Sequence, residues 1–140
     1  LPLIVSMAKA IRLSVNSIEE NLSKVEQYNN KIKKELSKYN HVHINSNENS
    51  IPHILNISVD FVKPETLQHS LEEYDIYVST QSACSSNNAA SRAVYDVTKS
   101  EVYASHSIRI SLSHLTTKEE INKFLDAFEQ IYIKFNNLYK

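Results

Sequence analysis

Residues 107–112 read Ser-Ile-Arg-Ile-Ser-Leu, a strict alternation of polar and apolar side chains. Because successive side chains of a strand point to opposite faces, this run predicts a strand with Ile108, Ile110 and Leu112 in a core. The same geometry places Arg109 on the opposite face. The run therefore predicts both one wall of a hydrophobic core and a cation held on a rigid strand.

Strand and helix patterns alternate along the rest of the chain. Thr117 followed by Glu120 is a capping box that opens a last helix with apolar residues at helical spacing. Other β-rich runs predict strands at 41–44, 54–59 and 76–78, and helical patterns predict helices at 64–73 and 89–97. The alternation favours an α/β fold, a two-layer sandwich of one sheet with helices.

A long helix is predicted ahead of the sheet, over residues 2–39. Apolar residues recur every seven positions in two series, with one polar member, Asn29: Ile4, Ile11, Ile18, Val25, Ile32 and Ala8, Val15, Leu22, Leu36. Pro2 suits the first turn, Asn40 suits a left-handed cap, and the box from Ser17 to Glu20 allows a kink. The stripe fits a coiled coil with a partner helix or packing along the chain's own sheet, and the sheet that follows favours packing.

Composition excludes several classes of protein. The 140 residues include no glycine and one cysteine, with a net charge of -1. Glycine-rich phosphate loops and disulfide scaffolds are therefore excluded, and no basic surface is available to hold nucleic acid. No apolar run near the start is long enough for a signal peptide or a membrane span. We expect a single cytoplasmic domain with no direct contact to nucleic acid or membrane and, because Leu1 opens in mid-pattern, a piece of something longer.

Cys84 is the first candidate for chemistry. It lies in a run of small polar residues, 79–88, which predicts an exposed loop. A buried structural cysteine usually has apolar neighbours, so a reactive thiol and an incidental loop cysteine both fit this position.

Arg109 is the second candidate. On a strand, its guanidinium can hold a carboxylate through two parallel hydrogen bonds, although a solvated arginine explains the pattern equally simply and is favoured on the residues alone. His106 fits a proton carrier or, more simply, a loop histidine. His41 and His43 share a predicted strand face, but no third ligand is evident, so no metal site is expected.

Three motifs in register resemble one family. They are Ile-Pro-His-Ile-Leu-Asn-Ile-Ser at 51–58, Ser-Ala-Cys-Ser-Ser at 82–86, and Ser-Ile-Arg-Ile-Ser-Leu at 107–112 followed by Thr-Thr-Lys-Glu-Glu-Ile at 116–121. Together they resemble the C-terminal part of cysteine desulfurases, pyridoxal-phosphate enzymes of the class V aminotransferase group. The resemblance implies that residues 1–140 are the small domain of a fold type I enzyme, with a small, mostly antiparallel sheet. Residues 2–39 would be the helix that leads out of a large domain.

The resemblance also implies roles for the two candidates. Cys84 would be the nucleophile that takes sulfur from L-cysteine, leaving L-alanine and a persulfide on the enzyme, and Arg109 would bind the substrate carboxylate. The sulfur acceptor would be an iron-sulfur scaffold or a tRNA thiolation enzyme, and the parent protein a homodimer.

The family attaches its cofactor to a lysine that follows a histidine, and no lysine before Cys84 does so here. We therefore expect no cofactor-binding residue in this chain, and an inactive chain when isolated. Two alternatives remain within the group, a selenocysteine lyase and another class V aminotransferase. An alternative of a different class is a non-enzymatic interaction module that works through the long helix, with Cys84 incidental.

Overall fold

The computed structural model describes residues 1–80 and 90–139. In chain order the elements are α1 (Pro2–Leu36), β1 (Val42–Ile44), β2 (Ile54–Val59), α2 (Pro64–Glu72), α3 (Arg92–Thr98), α4 (Glu101–Ser105), β3 (Ser107–Ser111) and α5 (Lys118–Tyr139). The three strands form one antiparallel sheet in the order β1-β2-β3, so β2 is central. The α/β class and the helices beside a small antiparallel sheet are as predicted.

The register between β2 and β3 gives the sheet one apolar and one polar face. Ile57 pairs with Ile108, and Leu55 with Ile110, so these side chains share a face and are buried. The intervening pairs, Asn56 with Arg109 and Ser58 with Ser107, occupy the other face. The alternation predicted for β3 is confirmed, because Ile108, Ile110 and Leu112 are buried and Arg109 is exposed.

Helices α1, α2 and α5 cover the apolar face. Phe128 of α5 is almost fully buried at 1% exposure, and the ring of Tyr39 packs edge-on against it at 5.8 Å between centroids. The capping box that opens α5 forms as predicted: the backbone N–H of Thr117 donates to the Glu120 carboxylate at 2.8 Å, and the N–H of Glu120 donates to the Thr117 hydroxyl at 3.2 Å.

The long helix packs on the sheet through its last third only. Val25, Ile32 and Leu36 are buried, and the one polar member of the stripe, Asn29, is buried with its amide donating to the carbonyl of Pro52 at 2.9 Å. The stripe nearer the N-terminus is exposed, with Ile4 at 70% and Ile11 at 53%. The expectation that the whole stripe packs along its own sheet is therefore wrong for residues 1–22, because the short strands leave no surface under that part of the helix.

Helix α1 begins where the sequence predicts but ends earlier than predicted. Pro2 lies in the first turn as expected, but the helix ends at Leu36, and the N–H of Ser37 bonds to the carbonyl of Lys33 at 2.9 Å. Asn40 is not among the described residues with positive φ, so it does not form the predicted cap. The box at Ser17 does not form either, because the Ser17 hydroxyl donates back to the carbonyl of Leu13 at 3.1 Å and the helix continues.

The strand predicted at 76–78 is absent. Asp75 takes a left-handed conformation (φ 56°), and the N–H of Ile76 bonds to the carbonyl of Leu71 at 3.1 Å. That N–H therefore closes the end of α2 and is not available to a ladder. Pairing with β3 begins only at Ser79, which forms a single antiparallel bridge with Arg109.

The helix predicted at 89–97 begins in the structure at Arg92 and ends at Thr98, and its predicted first residue lies outside the described part. A second short helix, α4, follows it, capped by the Ser100 hydroxyl on the N–H of Tyr103. It contacts the polar face of β2, where the Ser58 hydroxyl donates to the carbonyl of Tyr103. Among the described helices, none has the length and apolar content required to cross a membrane.

Candidate active site

The polar face of the sheet carries a cavity of about 620 Å³. It is lined by Asn56 of β2, Arg109 of β3 and Asn45 from the loop after β1, and also by Thr80 and Ala90. Both strands are fixed by the packing of their other faces, so the polar side chains stand on a rigid base. Of the candidate residues named from the sequence, Arg109 lines this cavity.

Arg109 presents its guanidinium to this cavity from the middle of β3. Its backbone is held on both sides, by the pairing with Asn56 and by the bridge to Ser79, in which the Arg109 N–H donates to the Ser79 carbonyl at 2.7 Å. The side chain makes one hydrogen bond within the described residues, from Nη2 to the Ser79 hydroxyl at 3.3 Å. Within residues 1–80 and 90–139, most of its N–H donors have no protein partner, and a carboxylate fits their planar fork.

A buried hydrogen-bond network lies beside Arg109. Nδ2 of Asn45 donates to Oδ1 of Asn56 and to the Ser58 hydroxyl, both at 2.7 Å, and that hydroxyl donates to the Tyr103 carbonyl, also at 2.7 Å. Neither Asn45 nor Asn56 was predicted from the sequence to be a site residue. The signal for Asn56 was present, since period two in β2 sets it opposite the buried Leu55; Asn45 joins the site only through tertiary structure.

Cys84, the predicted nucleophile, lies outside the described residues. The segment that contains it, 81–89, joins Thr80 to Ala90, and both of those residues line the cavity that holds Arg109. The two candidates named from the sequence are thus linked to one cavity, Arg109 directly and Cys84 through the two ends of its segment.

The histidines have separate structural partners. His41 Nδ1 lies 2.9 Å from the Asp60 carboxylate, whereas the ring of His43 stacks on that of Tyr103 with 4.0 Å between centroids. His106 lies at the end of α4, where its Nδ1 is 2.9 Å from the carbonyl of Val102; because a carbonyl only accepts, that nitrogen donates. No group of three possible metal ligands was found within residues 1–80 and 90–139.

Comparison with known proteins gives the family. A family model described as aminotransferase class-V matches residues 1–124 of the chain. The chain belongs to the class V aminotransferase family. Its relatives include proteins named as cysteine desulfurases, which confirms the resemblance that the three sequence motifs indicated.

Two of these relatives come from bacteria. A protein of Lactobacillus delbrueckii subsp. bulgaricus named NifS/IcsS protein homolog is 35% identical over 96% of the chain and 36% of its own length. A protein of Buchnera aphidicola subsp. Baizongia pistaciae named cysteine desulfurase IscS is 33% identical over 96% of the chain and 33% of its own length. The class V chain therefore spans about a third of the length of these curated relatives.

A solved structure extends the likeness to the fold. The NifS-like protein of Rickettsia africae superposes on 86% of the chain and 31% of its own length, with a TM-score of 0.72 and 31% identity. The antiparallel sheet and the long first helix of this class V chain are thus similar to part of a NifS-like protein.

Proposed function

We propose that residues 1–140 are the C-terminal small domain of a pyridoxal-phosphate-dependent cysteine desulfurase. The intact protein would remove sulfur from L-cysteine and release L-alanine. The observation that carries this proposal is the position of Arg109: on a rigid strand, it lines a cavity that Thr80 and Ala90, the residues on either side of the segment with Cys84, also line. Relatives named as cysteine desulfurases support the same reaction.

Arg109 binds the carboxylate of the substrate in this proposal. Two parallel N–H groups of the guanidinium fix both the position and the orientation of a carboxylate, which a single point charge does not do. Since β3 is held by β2 on one side and by Ser79 on the other, the backbone that carries the guanidinium is already ordered before the substrate binds. The substrate is thereby oriented with its thiol carbon directed away from the strand.

Cys84 receives the sulfur. Its thiolate forms an S–S bond with the substrate sulfur while the carbon–sulfur bond of the substrate breaks; the bonding electrons stay with the carbon fragment, which takes up a proton and leaves as alanine. The enzyme keeps one added sulfur atom, so atoms and electrons balance without an outside oxidant or reductant. Five residues of extended chain span about 18 Å. Because Ser79 itself lines the cavity, a chain of this length is long enough for the thiol of residue 84 to enter it.

The described residues of this chain do not fit covalent attachment of pyridoxal phosphate. Arg92 and Arg109 line the cavity, but none of its described lining residues is a lysine. When bound, the cofactor supplies an acceptor for the electrons released when the Cα proton of the substrate is lost. The lysine that holds it belongs, in this proposal, to the rest of the protein.

We therefore expect that the 140-residue chain, incubated with pyridoxal phosphate and then borohydride, acquires no label at a single stoichiometric site. Only scattered modification of surface lysines should be found by peptide mass mapping. The control is the full-length protein treated in the same way, which should carry one label outside residues 1–140. One fully labelled lysine within the chain would contradict this assignment.

The exposed part of the α1 stripe supports the domain assignment. Ile4, Ile11 and Ile18 are each more than half exposed, an uncommon state for three apolar side chains on one face. Because relatives are about three times as long as this chain, we assign this surface to contact with the rest of the parent protein. The same surface is the one observation that favours the second candidate function, an interaction module that binds another protein's helix.

The partners follow from the reaction. L-cysteine is the substrate, and the sulfur bound to Cys84 would pass to an acceptor protein, an iron-sulfur scaffold or a tRNA thiolation enzyme. We propose that the intact protein is a homodimer in the cytoplasm.

The test is the activity of the full-length protein. Incubated with L-cysteine and a reductant, it should form L-alanine and sulfide in equal amounts. A much faster reaction with L-selenocysteine, and none with L-cysteine, would assign it as a selenocysteine lyase. No alanine from either substrate would contradict both of these assignments and leave another class V aminotransferase or the interaction module.

A further inference from the structure

The amide of Asn56 has a direction that is set by a buried chain of hydrogen bonds. The chain starts at the carbonyl of Tyr103, which can only accept, so the Ser58 hydroxyl must donate to it. The single hydrogen of Ser58 is then used, and its oxygen can only accept from Asn45. The group that Asn45 directs at Ser58 must therefore be its Nδ2.

The same nitrogen decides the orientation of Asn56. Nδ2 of Asn45 also lies 2.7 Å from Asn56, so the atom of Asn56 on that side must be the acceptor Oδ1. Nδ2 of Asn56 is consequently on the other side, and within the described part of the chain it has no hydrogen-bond partner and is not a buried atom. Two N–H donors of Asn56 remain available at the cavity wall.

Asn45 bears the unfavourable consequence of this arrangement. It is only 7% exposed, both hydrogens of its Nδ2 are used, and its Oδ1 is buried with no partner among the described residues. A buried unpaired acceptor costs about 1–3 kcal/mol. Asn45 cannot turn its amide round to pair this oxygen, because Ser58 can only accept from it. The unpaired Oδ1 of Asn45 is therefore the cost of the network that leaves the N–H groups of Asn56 at the cavity.

Asn56 and Arg109 are direct cross-strand partners in the β2–β3 register and line the same cavity. Opposed side chains in such a pair have Cβ atoms about 4.5–5.5 Å apart. Because both side chains line one cavity, a carboxylate bound there can contact the Arg109 guanidinium and the Asn56 amide together. Had the amide been reversed, its oxygen would face the anion and repel it.

We infer that Asn56 is a second carboxylate-binding residue, whose N–H groups complete the grip of Arg109 on the substrate. This inference rests on the proposed function, since it names a further residue for the same substrate. Asn45 and Ser58 are positioning residues that act through Asn56. The pair of Asn56 and Arg109 selects ligands with a carboxylate over those with a neutral group in its place.

The test uses the full-length protein and two competitive inhibitors, L-alanine and L-alaninol, in which a hydroxymethyl group replaces the carboxylate. Asn56→Asp should raise the inhibition constant of L-alanine, and the KM for L-cysteine, at least about tenfold, because an anion replaces two donors. The inhibition constant of L-alaninol should change less than about twofold, whereas a general disturbance of the site would weaken both. Asn30→Asp, the same substitution at an exposed position of α1, should change neither.

Two comparisons keep the outcomes distinct. If Arg109→Lys raises the inhibition constant of L-alanine but Asn56→Asp does not, the inference about Asn56 is wrong and the proposed function stands. If neither variant raises that inhibition constant, both the inference about Asn56 and the proposed function are wrong. Should Asn56→Asp fail to fold, Asn56→Ser decides: its hydroxyl can still accept from Asn45, but the amide donors are lost, so an unchanged ratio of the two inhibition constants would overturn the inference.

Discussion

Replacing Cys84 by serine in the full-length protein is expected to abolish the formation of alanine from L-cysteine. The loss of kcat should be at least about 10³-fold, because a hydroxyl is a far weaker nucleophile toward sulfur than a thiolate and cannot carry a persulfide. Binding of pyridoxal phosphate, measured by its absorbance, should stay unchanged, since no part of that attachment is assigned to Cys84. Alanine and sulfide are measured together under single-turnover and steady-state conditions.

The control for this experiment is Asn88→Ala, a substitution in the same polar run that leaves the thiol in place. It should retain activity within about threefold, because the proposed reaction gives Asn88 no role. If the Cys84→Ser protein still forms alanine at the full rate, Cys84 is not the sulfur carrier. The interaction module would then be the better interpretation.

Replacing Arg109 by lysine is the substitution with the next largest expected effect. An ammonium group cannot reproduce two parallel hydrogen bonds, and charge-assisted hydrogen bonds contribute about 1.5–3 kcal/mol. The KM for L-cysteine should therefore rise by about tenfold to a hundredfold, with a smaller change in kcat. Initial rates over a wide range of cysteine concentration separate the two parameters.

A matched control is Arg12→Lys, the same substitution at an exposed position of α1. It should leave both kinetic parameters unchanged. If Arg109→Lys also leaves them unchanged, Arg109 is a solvated arginine on the sheet, which is the simpler interpretation of its position in the sequence.

The sheet could be predicted because its pattern is local. In residues 107–112, the alternation alone assigned Ile108 and Ile110 to the core and Arg109 to the polar face, and the structure agrees. The capping box of Thr117 and Glu120 was equally local. Each of these features depends on residues within a few positions of one another, so neighbouring side chains determine the conformation before any tertiary contact is considered.

Features that depend on distant contacts could not be read in the same way. The stripe on α1 keeps its heptad spacing from Ile4 to Leu36, with Asn29 as its one polar member. Its burial nevertheless changes near Val25, because the pattern does not report the length of the surface beneath it. The run at 76–78 has strand composition, but its first N–H closes α2. The competition between a helix end and a sheet edge is decided in three dimensions.

The candidate site was predicted in part. Arg109 was found as an isolated cation in an apolar alternation, and the family resemblance gave it a ligand. Asn45 was not found, because it is separated from Ser58 by 13 positions and from Tyr103 by many more, and only folding brings these groups into one network. Polar residues buried by tertiary contacts carry no periodic signal.

The most direct measurement is the location of the sulfur after one turnover. The full-length protein is mixed with an equimolar amount of L-cysteine labelled in its sulfur, and its peptides are then analysed by mass spectrometry without reduction. The peptide that contains Cys84 should carry one labelled sulfur atom, in an amount equal to the alanine released. Alanine released with the label on another cysteine, or with no protein-bound label at all, would contradict the assignment of Cys84 as the sulfur carrier.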